Sequence, residues 1–183
     1  LRIQHEDLGS PLGLDGVALG DSIAHNGVCL TVIEKAGDSY KVDVSKESLD
    51  CTVGLDGASN NAEVNLEKAM QLTDRLGGHL VSGHVDGVGD VVKFDKIGES
   101  HELVIRAPAD LSKYIARKGS VTVNGVSLTT NRVNGAEFSI NLIPHTVHVT
   151  TLKHLHAGAK VNLEVDLIAR YCERLLSFQG DNE

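Results

Sequence analysis

Two histidines five positions apart, His79 and His84, stand in a glycine-framed segment, Gly77-Gly78-His79-Leu80-Val81-Ser82-Gly83-His84. A cysteine, Cys29, follows the pair Asn26-Gly27, and a serine and a threonine, Ser127 and Thr129, follow a second such pair, Asn124-Gly125. Imidazole titrates near neutral pH and can move a proton, and a thiol can add to an electrophilic carbon. Glycines beside the histidines let a backbone approach a ligand closely and turn in ways closed to other residues. Each residue also has a plainer reading. The histidines could belong to the surface or to a hydrogen-bonded framework, and Cys29 could be a small buried hydrophobe. A zinc reading is weak, because the H-x4-H spacing has neither a helical setting nor the glutamate of H-E-x-x-H. His145/His148 and His154/His156 offer no better spacing, so no metal is expected, and those of these four outside the Pro144 loop read as solvated.

The elements that must position these residues are repeated. Asn26-Gly27-Val28-Cys29-Leu30-Thr31-Val32 returns as Asn124-Gly125-Val126-Ser127-Leu128-Thr129-Thr130. An Asn-Gly pair between strand-like runs is a hairpin signal, since a type I′ turn needs positive φ at both central residues. On the strand that follows, residues two apart share a face, so Cys29 projects with Thr31 and Ser127 with Thr129, while Leu30 and Leu128 point to a core. The same shift of 98 positions lays Ser22-Ile23 on Ser120-Val121 and Glu47-Ser48 on His145-Thr146. With one residue of slippage, Val64-Asn65-Leu66-Glu67 falls on Val161-Asn162-Leu163-Glu164. A self-match of about 50 residues per copy predicts two similar tandem domains, and with only two copies the chain reads as a duplicated barrel and not a solenoid.

In chain order, a partial strand and a Gly-rich connection span 1–19, strands flank the first turn over 22–25 and 28–34, and Ala36-Gly37-Asp38 turns into an alternating strand of Tyr40, Val42 and Val44. The stretch 45–49 leads into a short strand, a Gly/Asn-rich loop covers 54–61, and 64–67 closes the first domain. The second domain opens near Gly83 with strand-like 85–92 and 103–105. A short helix is expected over 110–117, with Leu111, Tyr114 and Ile115 on one face and Gly119 at C′. Asn134-Gly135 turns into the alternating strand of Phe138, Ile140 and Leu142. A last helix over 166–176 carries an apolar stripe of Ile168, Tyr171/Cys172 and Leu175/Leu176, able to pack on its own barrel or on another subunit. The expected domains are 1–82, 83–165, and a terminal helix and tail over 166–183.

Composition narrows the classes. At 183 residues, 41% hydrophobic and 23% charged, the chain reads as an ordinary globular protein of one or two domains, and no apolar run nears the roughly 20 residues of a membrane span. A net charge of −8 without a Lys/Arg cluster argues against nucleic acid as a partner. Three scattered cysteines without C-x-x-C point to reduced thiols in the cytoplasm, and the N-terminus lacks the blocks of a signal peptide. The copies differ in one respect: Gly119 lies 35 positions after His84, whereas only 19 residues precede Gly20. The first domain is therefore expected to lack the counterpart of strand 85–92, within a natural protein that begins about one strand and a turn before Leu1.

These motifs resemble a known family. The words Ser22 to Val32, Gly77 to Val85, Lys118-Gly119 with Asn124 to Thr129, and Asn141-Leu142-Ile143-Pro144-His145-Thr146 are similar to riboflavin synthase of the alpha-chain type, in order and along essentially the whole chain. The resemblance implies an all-β fold of two tandem six-stranded Greek-key barrels, the first short here of its opening strand, with short helices and a C-terminal α-helix. It implies a homotrimer, a lumazine as substrate, lumazine synthase as a candidate partner, and no cofactor. The reaction implied is the dismutation of two 6,7-dimethyl-8-ribityllumazine molecules, four carbons passing from one to the other, to riboflavin and 5-amino-6-ribitylaminouracil. Two identical substrates would meet between two similar pockets, one from each barrel type, on neighbouring subunits. A non-catalytic lumazine- or flavin-binding relative of the same fold is the alternative.

Carried over residue by residue, the resemblance assigns catalysis to Cys29, His84, His79, Ser127 and Thr129, with His84 in proton transfer and His79 in support. Substrate contacts in the first barrel would come from Ser22, Cys29, Leu30, Thr31, Asp43, Val44, Ser45, Lys46, Glu47 and Ser48, joined by Gly83, His84 and Val85. In the second they would come from Lys118, Ser127, Leu128, Thr129, Asn141, Leu142, Ile143, Pro144, His145 and Thr146.

Overall fold

Both Asn-Gly pairs adopt the backbone their residues favour: φ is +47° at Asn26 and +83° at Gly27, and +47° at Asn124 and +85° at Gly125, as a type I′ turn requires. In this computed structural model, which describes residues 2–4, 13–14, 16–37, 39–56 and 62–178, each turn joins two antiparallel strands. The first domain contains β1 (Arg2–Gln4), β2 (Ser22–His25), β3 (Val28–Ala36), β4 (Ser39–Val42), the helix α1 (Lys46–Cys51) and β5 (Leu66–Lys68). The second contains β6 (Gly87–Ile97), β7 (Ser100–Arg106), β8 (Ser120–Val123), β9 (Val126–Asn134), β10 (Glu137–Leu142), α2 (Pro144–Val149) and β11 (Lys160–Val165), followed by α3 (Leu167–Ser177). The expected connection through 5–12, Asp38 of the first-domain turn, residues 57–61 of the Gly/Asn-rich loop and the tail 179–183 lie outside the described residues.

The second domain is a closed barrel ordered β10-β7-β6-β11-β8-β9. The first is a five-stranded sheet ordered β1-β4-β3-β2-β5, the order β7-β10-β9-β8-β11 of the barrel with β6 left out. Among the described residues, β1 and β5 are therefore the edges of an open sheet, as expected from the shorter first copy. Each copy bends at the same place. The ladder slips past Ile33 between β3 and β4 and past Asn131 between β9 and β10, equivalent bulges that add the twist a barrel wall needs.

Alternation fills the two cores. Tyr40 and Val42 of β4 and Phe138, Ile140 and Leu142 of β10 are all at most 1% exposed, each apolar side chain stabilising by about 1.5–3 kcal/mol. Val44 lies beyond β4 but still packs on the first core. One pair differs in kind: His25 and Tyr40, buried and bonded Oη to Nε2 at 2.8 Å, stand where the second domain has Val123 and Phe138.

Three local expectations change. The segment 45–49 does not run into a strand: Ser45 caps α1, its Oγ accepting the Ser48 N–H at 3.0 Å, with Lys46 and Asp50 paired one turn apart. Its counterpart α2 begins on Pro144, whose fixed φ suits the first helical position. The helix expected over 110–117 is a 3-10 turn, Ser112–Tyr114. Its amides reach back three residues, Leu111 to Pro108 and Ile115 to Ser112, which lets Leu111 and Ile115 both enter the core. The left-handed residue there is Lys118, φ +64°, and not Gly119.

Helix α3 is capped by Asp166, whose Oδ1 accepts the Ile168 N–H at 3.0 Å. Its polar face is tied to the second domain, Arg170 to Asp86 and Glu173 to Lys113 and Tyr114. The expected stripe of Ile168, Tyr171, Leu175 and Leu176 is about two-thirds exposed, so the option of packing it on its own barrel is not taken. No helix among the described residues is long and apolar enough to cross a membrane.

Candidate active site

The two hairpin turns meet back to back. A Cβ on Gly27 would stand 2.8 Å from the Gly125 nitrogen, and one on Gly125 2.9 Å from the Gly27 nitrogen, so only glycine allows the approach. Four buried asparagines fasten it. Asn65 accepts the Thr151 N–H and donates to the Asn124 carbonyl across the domain boundary. Its counterpart Asn162 accepts the Val53 N–H and donates to the Asn26 carbonyl. Within each domain the turn asparagine accepts from the same partner, Asn26 from the Asn65 N–H at 2.9 Å and Asn124 from the Asn162 N–H at 2.8 Å. Since 53 and 151 differ by 98, the network has an approximate two-fold axis, and Cys29 and Ser127 are related by it.

A cleft of about 560 Å³ lies against the first domain, lined by Val28, Cys29, Glu47, Ser48, Cys51 and Thr52, by Gly83, His84, Val85 and Asp86 of the crossover 69–86 that joins β5 to β6, and by Gly87 of β6. A second, of about 330 Å³, lies against the other domain, lined by Ser127, Leu128, Thr129, Asn131, Asn141, Leu142, Ile143 and Thr146. The crossover between the domains touches both members of the related pair. At one end His79 stands against Ser127, with Nδ1 to Oγ at 2.7 Å, and its Nε2 reaches Thr122 Oγ1 at 3.2 Å. At the other end the Gly83 carbonyl accepts the Cys29 N–H at 2.8 Å. Gly83 has φ +77°, and a Cβ there would lie 2.9 Å from that of Cys29.

Burial holds His79 below the ordinary imidazole range, and the nearby Asp166 and Glu164 carboxylates pull it partly back. A largely neutral ring between two hydroxyls can accept from one and donate to the other. His84 is exposed at the mouth of the first cleft and Cys29 half-buried within it.

The remaining candidates divide. Cys29, Glu47, Ser48, Gly83, His84 and Val85 come together in one cleft, and Ser127, Leu128, Thr129, Asn141, Leu142, Ile143 and Thr146 in the other. Leu30 turns its side chain into the core, leaving only its backbone for a ligand. Ser22 and Thr31 pair across β2 and β3, while Asp43, Val44, Ser45, Lys46, Pro144 and His145 flank the clefts in sequence without lining them. Lys118 reaches Asn131 Oδ1 at 3.4 Å and so borders the second cleft. Val28, Cys51, Thr52, Asp86, Gly87 and Asn131 line the clefts and are not among the expected residues. For Asn131 the signal was slight, a polar residue where the first copy has Ile33.

The sequence profile of the lumazine binding domain matches residues 3–69 and 82–166. The chain is 50% identical to the riboflavin synthase of Photobacterium phosphoreum, covering 90% of this chain and 75% of that one. It is 43% identical to that of Brucella abortus, covering 89% and 83%, and 39% identical to that of Bacillus subtilis, covering 93% and 79%. Among solved structures, LumP complexed with 6,7-dimethyl-8-(1'-D-ribityl) lumazine superposes with a TM-score of 0.72 at 26% identity over 83% of this chain and 81% of that one. LumP complexed with riboflavin gives 0.75 at 26% over 83% and 82%. With both copies matched by one domain profile and identities of this size along nine-tenths of its length, the chain belongs to the riboflavin synthase family of lumazine-binding-domain proteins.

Proposed function

We infer that the chain is a riboflavin synthase, a transferase that converts two molecules of 6,7-dimethyl-8-ribityllumazine into riboflavin and 5-amino-6-ribitylaminouracil. The observation that carries this reading is the presence of two related clefts on one chain, with Cys29 in one at the position Ser127 takes in the other, in a sequence 39–50% identical to such synthases. Each cleft takes one lumazine, so that a bimolecular exchange of carbon proceeds between fixed partners, an advantage worth up to roughly 7–11 kcal/mol. His84 takes a proton from the acidic 7-methyl group of one lumazine. Cys29, or a water beside it, adds to C7 of the other. Ser127 and Thr129 hold the second substrate, with His79 orienting Ser127.

The reacting pair forms between the first cleft of one subunit and the second cleft of its neighbour in a homotrimer, a reading supported by the uncovered apolar stripe of α3. The enzyme works in the cytoplasm, where free thiols persist, and lumazine synthase is its candidate partner, to be sought by co-purification. The deciding experiment follows absorbance of purified protein with 6,7-dimethyl-8-ribityllumazine. A flavin spectrum is expected, whereas enhanced lumazine fluorescence without turnover identifies a binder. His84→Ala is expected to lower kcat about 10²-fold or more, and a Cys29→Ser variant with full turnover would remove the thiol from the mechanism.

A further inference from the structure

Glu164 lies in β11 of the second domain, 4% exposed, and its carboxylate is turned wholly to the crossover. Oε1 accepts the Ser82 N–H at 2.7 Å and the Ser82 hydroxyl at 2.6 Å, and Oε2 accepts the Gly83 N–H at 3.0 Å. The neighbouring residues of β11 secure the same segment: the Leu163 carbonyl accepts the Asp86 N–H, and the Val165 N–H donates to Asp86 Oδ2, both at 2.7 Å. Gly83 thus has its N–H on Glu164 and its carbonyl on the Cys29 N–H. One glycine connects a carboxylate of the second domain to the cysteine of the first, and the next residue is His84.

We propose that Glu164 is a positioning residue for the first cleft, clamping the crossover so that the Gly83 carbonyl stays on Cys29 and His84 stays at the cleft mouth. Three donors converge on two oxygens, which only a carboxylate accepts in full; an amide would turn an NH2 towards at least one of them. The strand position alone does not confer the role. Glu67 occupies the equivalent place in β5, and its Oε2 has no hydrogen-bond partner among the described residues. The kinetic part of the proposal rests on the riboflavin synthase reading; the structural part does not.

The test compares the unmodified chain with E164Q, S82A and E67Q. Iodoacetamide labelling of Cys29 is read on its own peptide, as a rate relative to the same protein unfolded in urea, alongside kcat and KM for 6,7-dimethyl-8-ribityllumazine. E164Q is expected to raise the Cys29 labelling rate relative to the unfolded protein about tenfold and to lower kcat about 10- to 100-fold, the size of a lost charge-assisted hydrogen bond. KM should change less than kcat. S82A, which removes one bond of three, should move both readouts the same way by a smaller factor, and E67Q should move neither. The proposal is overturned if E164Q is folded and leaves labelling and kcat as they were, or if E67Q alters them as much. Should E164Q fail to fold, an S82A protein indistinguishable from the parent overturns it instead. A parent protein that makes no riboflavin defeats the functional reading, while the labelling ratio still decides the clamp.

Discussion

His25 is the residue whose chemistry most separates the two copies. Burial pushes it down from 6.5 to about 4, backbone groups of Ile23 and Val28 opposing only in part. The unfolded chain takes up a proton as pH falls through 6.5 while the folded chain refuses it until about 4. The contribution to stability is therefore complete above pH 6.5 and is lost on acidification towards 4, about 3 kcal/mol in all. Glu67 acts oppositely: burial raises it from 4.5 to about 7, so its contribution is complete below 4.5 and is lost as pH rises through 7. The two slopes offset each other across nearly the same window. Replacing the pair His25/Tyr40 by the Val/Phe of the second copy is expected to remove the acid-side loss, and E67Q to expose it, as read by urea midpoints between pH 4 and 7.

At the scale of the element, legibility in the sequence followed locality. The Asn26-Gly27 and Asn124-Gly125 hairpins were readable because a type I′ turn is specified by the two residues that form it, and the alternation of Phe138, Ile140 and Leu142 needed no distant partner. Helices α1 and α2 leave little trace in the sequence because six residues carry too little periodicity, the Ser45 cap and Pro144 being the only signals. The turn at 112–114 reads as a helix in the sequence because buried Leu111 and Ile115 have helical spacing, in a segment too short to wind fully. The lining of the clefts by Cys51, Thr52 and Asp86 was illegible, since it depends on how a crossover is held against strands far away in sequence; Glu164 lies more than 80 positions from its donors. Helix α3 carries its own expectation. With its polar side tied down by Arg170 and Glu173, the apolar side is left exposed; under the proposed homotrimer, Leu175→Glu is expected to yield monomer in sedimentation without unfolding the barrel.

For the whole molecule, the asparagine network makes one folding unit of two domains that differ in closure. The barrel has no free edge, whereas the first sheet ends at β1 and β5 among the described residues, so the first sheet is the weaker half. Cross-boundary bonds from Asn65 and Asn162 couple them, and each buried bond broken costs about 1–3 kcal/mol. Calorimetry should find a single transition in the parent and two in the Asn65→Ala/Asn162→Ala double variant, the first domain melting earlier; a single sharp transition in that variant would refute the coupling. The contact of turn on turn also bears on how this protein ages. Asn-Gly is the peptide bond at which the following nitrogen most readily attacks the asparagine side chain, yet at 26–27 and 124–125 the side-chain oxygens are engaged and each glycine is packed against the backbone of the other. Long storage should therefore leave its deamidation mark at Asn134, whose exposed turn is not so held, well before either buried pair, as peptide mass mapping can follow.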